Sequence, residues 1–268
     1  MQKIRRNIPN AITCGNLFCG CLALVKAFED DLVWTAYLVG IALVLDFFDG
    51  FTARMLKVSS AIGKDLDSLA DMVTFGVVPG VVVFKLILLQ KITHDALVFD
   101  TSAVASSVFY PAYLAFLIPV LSAIRLAKFN NDARQAESFI GLPTPANAVF
   151  FCSLPLVLKQ ITEWYISGKN PFETLAAVSG NPVLALLNDP WILIALTLIF
   201  SFLLVAELPL FSLKFKSFGW KGNEVRFVFL GMAALLLAFL QFTGIPLVIV
   251  LYILVSIVNN LILRRNHE

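Results

Sequence analysis

Residues 32–89 read LVWTAYLVGIALVLDFFDGFTARMLKVSSAIGKDLDSLADMVTFGVVPGVVVFKLILL. Two long apolar runs, 32–51 and 66–89, flank a short polar stretch. Four aspartates, Asp46, Asp49, Asp67 and Asp71, lie on or beside those runs. An ionised carboxylate at membrane depth costs about 2.5–3.5 kcal/mol on insertion scales. Four together also repel one another. Such a set is tolerated when positive charge is bound among it, and a divalent cation is the simplest candidate.

The rest of the chain agrees with a membrane setting. Of 268 residues, 59% are hydrophobic and only 14% charged. A soluble domain carries about 25% charge. Mean hydropathy is +0.86. A net charge of +2 leaves no nucleic-acid footprint. The four cysteines, Cys14, Cys19, Cys21 and Cys152, show no metal-ligand spacing and read as small packing residues in helices. The first apolar run reads as a retained span.

A helix crosses a bilayer in about 20 apolar residues. Eight candidate spans follow: 10–28, 32–56, 66–89, 105–128, 146–166, 190–208, 225–243 and 245–263. The stretch 167–190 reads as a loop, and Gly244-Ile245-Pro246 as the turn between the last two spans. Basic residues gather at alternate ends: Lys3, Arg5, Arg6; Arg54, Lys57, Lys64; Arg125, Lys128, Arg134; Lys214, Lys216, Lys221, Arg226; Arg264, Arg265. Only Lys26, Lys85, Lys91, Lys159 and Lys169 fall at the opposite ends. By the positive-inside rule both termini are cytoplasmic. The expected fold is all-α, a polytopic helical bundle of one domain over 1–268. All four aspartates then stand at the cytoplasmic end of two adjacent helices.

Asp46 and Asp49 are three residues apart, and Asp67 and Asp71 four apart, so each pair shares a helix face. The loop between the helices is short, which makes them antiparallel neighbours with facing carboxylates. An oxygen-only ligand set favours hard cations such as Mg²⁺, Mn²⁺ or Ca²⁺. One or two ions fit; two ions about 3.5–4 Å apart would clamp a phosphoryl group. Gly50 and Ala53 allow a ligand close to the helix backbone. Arg54 is suited to phosphate oxygens. Gly63 falls on one line with Asp67 and Asp71. Solvated helix ends would explain one such aspartate, but not four on two facing stripes.

These residues together spell D-x2-D-G-x2-A-R-x8-G-x3-D-x3-D, filled by Asp46, Asp49, Gly50, Ala53, Arg54, Gly63, Asp67 and Asp71. In this the chain resembles the CDP-alcohol phosphotransferase family at every fixed position of its signature, over residues 46–71. The resemblance implies an integral membrane enzyme that moves a phosphatidyl or similar group from a CDP-linked donor to an alcohol, releasing CMP. It implies that Asp46, Asp49, Asp67 and Asp71 hold Mg²⁺ or Mn²⁺, with Asp71 also the general base. Gly50, Ala53 and Gly63 would line the nucleotide site, and Arg54 would bind the diphosphate. Family members are commonly homodimers.

Further segments resemble the branch of the family that uses L-serine with CDP-diacylglycerol. They are Ile8-Pro9-Asn10-Ala11-Ile12-Thr13 with Asn16, Asp67 to Gly76, Arg125-Leu126-Ala127-Lys128-Phe129-Asn130, and Gly141-Leu142-Pro143-Thr144-Pro145. The spans over 190–263 are more divergent. Arg125 and Lys128 are the candidates for the acceptor carboxylate, although both also serve as positive-inside anchors. Asn16, polar within the first span, either bonds the donor or ties two helices together. Gly76 and Gly80 form a G-x3-G step that fits contact within one chain or between two copies. The implied location is a bacterial or archaeal inner membrane, with the site at its cytoplasmic face. Within the family, glycerol 3-phosphate, inositol or inositol phosphate are the rival acceptors. Outside it, an intramembrane prenyltransferase would not need Gly50, Ala53, Arg54 and Gly63 at these spacings. A cation transporter would spread its acids along a path.

Overall fold

Capping chemistry divides the first third of the chain into helices. α1 runs Gln2–Phe28 and α2 Leu32–Leu56. Between them Asp30 is left-handed (φ 60°), and the Asp31 carboxylate accepts from the Trp34 amide at 3.1 Å. That bond satisfies one of the donors a helix N-terminus leaves open. α2 stops at Lys57, also left-handed (φ 52°), whose amide turns back onto the Ala53 and Arg54 carbonyls. Ser60 then caps α3 (Ala61–Asp71), its hydroxyl accepting from the Gly63 amide at 2.9 Å. In this computed structural model residues 2–58, 60–97, 110–131, 139–166, 187, 189–211, 219–220 and 222–265 are described. Nearly all of the expected loop over 167–190 lies outside them, as do Arg134, Lys169, Lys214, Lys216 and Lys221.

α3 does not end in a loop. It passes through a π-helical turn, Met72–Val77, into α4, Val78–Leu97. A 3₁₀ turn (Tyr110–Phe116) leads into α5 (Leu117–Asn131). α6 (Thr144–Ile166) and α7 (Pro190–Val205) follow, the latter capped by the Asp189 carboxylate on the Trp191 amide. The last pair is α8 (Glu224–Leu240) and α9 (Gly244–Arg265). The all-α membrane architecture expected from the sequence is the one found. Helix occupies each of the eight expected segments. Among the described residues five stretches suffice by length and composition to cross a membrane: Asn7–Phe28, Leu32–Leu56, Ala61–Lys91, Tyr110–Asn131 and Glu224–Leu261, the last covering α8 and most of α9.

Three details differ from the sequence reading. α1 begins well before Pro9 and carries it internally, where a proline withholds the bond to the carbonyl four residues back. The turn between the last two helices is Gln241–Thr243, with Gln241 left-handed (φ 50°), and Gly244 already belongs to α9. Cys14 and Cys21 are exposed on α1, so only Cys152 is a fully buried packing residue.

The segment Ala61–Lys91 is 61% buried and Glu224–Leu261 only 11%, which makes the α3–α4 segment the axis of the bundle. Phe75, Val78, Val82 and Ile87 of that axis are fully enclosed, against Ile118 of α5, Phe151 of α6 and Leu193 of α7. The rings of Phe150 and Phe200 stack at 4.0 Å. Outward, Phe47, Phe48 and Phe51 stand exposed on α2, an apolar surface suited to lipid rather than water. The G-x3-G step is used within the chain: a Cβ on Gly76 would lie 3.2 Å from Ser122 Cβ, and one on Gly80 2.8 Å from Pro119 Cδ.

Among the described residues the strand pairing is a two-residue antiparallel bridge, Phe139–Ile140 with Pro209–Leu210. It fixes the start of α6. Gly141, at φ +79°, donates its amide to the Leu208 carbonyl at 2.9 Å, and a Cβ there would fall 2.6 Å from the Leu204 carbonyl oxygen. Gly141→Ala therefore meets both a strained φ and a backbone clash, together worth about 1–3 kcal/mol. A lowered Tm of the detergent-solubilised protein is the expected result; an unchanged Tm would contradict this contact.

Candidate functional site

α1 packs along both α2 and α3, while direct contact between α2 and α3 is slight. The two aspartate-bearing helices are thus splayed around α1, with the expected gap between their carboxylates lined by α1. α1 turns a polar stripe toward the gap. Thr13 Oγ1 donates to Asp49 Oδ2 at 2.7 Å. Asn16 Nδ2 donates to Asp71 Oδ1 at 3.5 Å, and Thr74 Oγ1 of the π-turn donates to the Asn16 carbonyl at 3.3 Å. Thr13, Asn16, Asp49 and Thr74 are all buried.

The carboxylates converge despite the splay. One oxygen each of Asp46, Asp49 and Asp67 lies within 4.8 Å of the other two. Asp71 is in side-chain hydrogen-bond contact with Asp46. Ligand oxygens sit about 2.0–2.6 Å from a hard cation, hence up to about 4–5 Å apart across it. The three-aspartate cluster fits that shell, and its donor set is oxygen only. It can hold a divalent cation, with Asp71 adjoining.

Beside the cluster is a cleft of about 270 Å³. Gly50 and Ala53 of α2 and Gly63 of α3 line it, as expected, together with Asp49 and Asp67. The opposite wall is Pro9, Asn10 and Thr13 of α1, and Ser60 and Lys64 complete the rim. Gly63 keeps this corner open: a Cβ would lie 2.9 Å from both Asn10 Oδ1 and Ser60 Oγ, and those side chains would have to shift. Lys64 Nζ also donates to the Asn130 carbonyl at 2.8 Å, and Asn130 Nδ2 to Ser68 Oγ at 2.8 Å, which ties the end of α5 to α3. Arg54 is exposed, its guanidinium lying over Gly50. Neither Arg54 nor Asn16 is among the residues that line the cleft; Asn16 stands behind Asp71 instead.

Arg125 and Lys128 separate sharply. Lys128 is exposed. Arg125 is only 7% exposed, donates from Nη1 to Thr144 Oγ1 at 2.9 Å, and lies 5.4 Å over the Phe129 ring. It is near enough to Asp71 for their charges to attract. The contribution of Asn10, Thr13, Ser60 and Lys64 was not foreseen from the sequence. A signal was present for two of them: Asn10, Thr13 and Asn16 recur every third residue in an otherwise apolar helix.

One ion pair joins the α1–α2 turn to α4. Lys85 Nζ pairs with Asp30 Oδ1 and Lys26 Nζ with Glu29 Oε2, both at 2.6 Å, at the end remote from the aspartates. Such exposed pairs contribute little to stability, but they show which helix ends lie together.

The family model for CDP-alcohol phosphatidyltransferase matches residues 6–203. The chain is 32% identical over 155 residues to the CDP-diacylglycerol–serine O-phosphatidyltransferase of Bacillus subtilis, across 58% of this chain and 76% of that protein. It is 34% identical over 143 residues to the protein of the same name from Helicobacter pylori, across 53% of this chain and 54% of the relative. A relative of that name from Methanocaldococcus jannaschii is 29% identical over 160 residues, across 58% of this chain and 65% of its own length. The chain thus spans about half the length of the Helicobacter relative and three quarters of the Bacillus one.

Proposed function

The chain belongs to the CDP-alcohol phosphatidyltransferase family, and on that premise we propose that it transfers the phosphatidyl group of CDP-diacylglycerol to L-serine, forming phosphatidylserine and CMP. The observation that carries the reading is the convergence of Asp46, Asp49 and Asp67 beside a cleft lined by Gly50, Ala53 and Gly63. The three relatives named above, all called serine enzymes, support the acceptor.

In this reading the donor diphosphate lies at the aspartate cluster, with the nucleotide in the cleft and the acyl chains in lipid. Asp46, Asp49, Asp67 and Asp71 would hold one or two Mg²⁺ or Mn²⁺ ions. Such a cation, when bound, supplies positive charge against the diphosphate oxygens. Gly50 and Gly63 keep the helix backbones open to the ligand. Arg54, at the rim over Gly50, takes charge on the departing phosphate. Thr13 and Asn16 orient the Asp49 and Asp71 carboxylates. Asp71 accepts the proton of the serine hydroxyl as its oxygen bonds to the lipid-side phosphorus and the phosphorus–oxygen bond to CMP breaks. Positioning and fixed charge provide most of the acceleration. Arg125, rather than the exposed Lys128, receives the serine carboxylate. The reading sets the site at the cytoplasmic face of an inner membrane, in one domain, and includes a homodimer on family resemblance.

The test is CMP release by purified protein given CDP-diacylglycerol and serine, glycerol 3-phosphate, inositol or choline. Serine alone should support release. Release with another of these and not with serine would overturn the acceptor. Arg125→Ala should raise the KM for serine by about 10- to 100-fold, the loss expected when a charge-assisted hydrogen bond is removed, and that for CDP-diacylglycerol far less. Equal rises would remove Arg125 from the acceptor site.

A further inference from the structure

Beside Arg125 the bundle encloses polar atoms that nothing in the fold uses. Asn147 is fully buried on α6, and among the described residues neither its amide nitrogen nor its amide oxygen has a hydrogen-bond partner. Arg125 Nε and Ser122 Oγ on α5 are buried and unpartnered in the same way. Asn147 stands one helical turn beyond Thr144, on the same face of α6. Thr144 accepts from Arg125 Nη1, which sets Arg125 against the face of α6 that carries Asn147. Ser122 and Arg125 likewise share a face of α5. The α5 side chains adjoin the reactive end of the site: Ser122 lies against Gly76, in the π-turn that begins next to Asp71.

Each unpartnered buried polar group costs about 1–3 kcal/mol, and native folds keep few of them. An Asn with both ends unused, next to a guanidinium with a spare donor, is an expensive arrangement for structure alone. Its chemistry has a complement. Arg125 Nε and Asn147 Nδ2 are donors and call for an anionic acceptor group. Asn147 Oδ1 is an acceptor and calls for a cationic donor. A small zwitterion bearing both a carboxylate and an ammonium answers both; a polyol or a phosphorylated alcohol answers one at most.

We infer that Asn147 is a specificity-determining residue for the acceptor, bonding the ammonium of an amino-acid alcohol through Oδ1 while Nδ2 and Arg125 hold its carboxylate. This rests on the serine reading above and adds to it the means of telling serine from other alcohols. Protein closes over the cluster in this structure, so binding exchanges the Arg125–Thr144 bond for one to the ligand. Gly141 and the short strand bridge anchor the start of α6 while that exchange occurs.

The experiment compares wild type with Asn147→Leu and Asn147→Ala, in detergent with CDP-diacylglycerol. The Leu variant has nearly the same size and leaves no unpartnered amide, so it should fold at least as well as wild type. Serine KM should rise about 10- to 100-fold in both, as expected when hydrogen bonds to charged groups are removed. The KM for CDP-diacylglycerol should remain at its wild-type value. Wild type should prefer serine over 3-hydroxypropionate, which lacks the ammonium, and the Leu variant should lose most of that preference. Serine should also raise the Tm of wild type and not of the Leu variant, a readout independent of turnover. An unchanged serine KM, an equal rise for both substrates, or a retained preference would overturn the inference. If wild type itself released no CMP with serine, the serine reading would fail instead.

Discussion

Asp71→Asn is expected to abolish CMP release while leaving the protein inserted and folded. The substitution keeps the shape of the side chain and removes its charge and basicity. Asp71 sits where four elements meet. Asn16 of α1 donates to it, Asp46 of α2 contacts it, Arg125 of α5 attracts it, and the π-turn begins at the next residue. Losing a positioned proton acceptor costs about 10²–10⁴ in rate. Losing a charge from the aspartate cluster adds to that, so turnover should fall below detection. CMP release by the pure variant is the measurement, with Tm and retained CDP-diacylglycerol binding as controls for folding. Turnover at the wild-type rate would remove Asp71 from the role of base.

Excess chelator should have an equally complete effect, and Mg²⁺ or Mn²⁺ should reverse it. The cluster of Asp46, Asp49 and Asp67 has no basic side chain hydrogen-bonded or ion-paired to it among the described residues; Asp49 bonds the Thr13 hydroxyl and the Gly50 backbone, and Asp46 the Asp71 carboxyl. Carboxylates held this close repel strongly where water is scarce. A cation relieves that repulsion, so binding it should stabilise the fold as well as the donor. Three measurements follow: CMP release with chelator, its recovery on adding metal, and the rise in Tm with metal concentration. Asp67→Asn should shift both the recovery and the Tm rise to higher metal concentration. Full activity in chelator would contradict the metal-holding role of the cluster.

The aspartates were legible because they violate their surroundings. A carboxylate in an apolar run is costly, and four at helical spacing require an explanation that the sequence alone can frame. Helix positions were legible for the related reason that lipid demands long apolar runs. What could not be read was how segments distant in sequence meet. Asn16 touches Asp71 across 55 residues, and Thr13 touches Asp49 across 36. Nothing local to α1 announces those partners; of the two roles open to Asn16, the structure shows the tie between helices, to Asp71 of α3. The π-turn at Met72–Val77 was hidden because its residues, MVTFGV, continue the apolar run without a break. The slight contact between α2 and α3 was hidden too, since a short connection implies adjacency but not packing. Asn147 drew no notice: one amide in an apolar helix is unremarkable until its lack of partners is seen.

Every residue that lines the cleft lies between Pro9 and Asp67. The cleft is therefore built within the first 67 residues, while the acceptor end is brought to it from Arg125 and Asn147. α8 and α9 contribute none of its walls. The terminal hairpin packs on α6 and closes the core through Phe229 and Tyr252, and the family match ends before it, at residue 203.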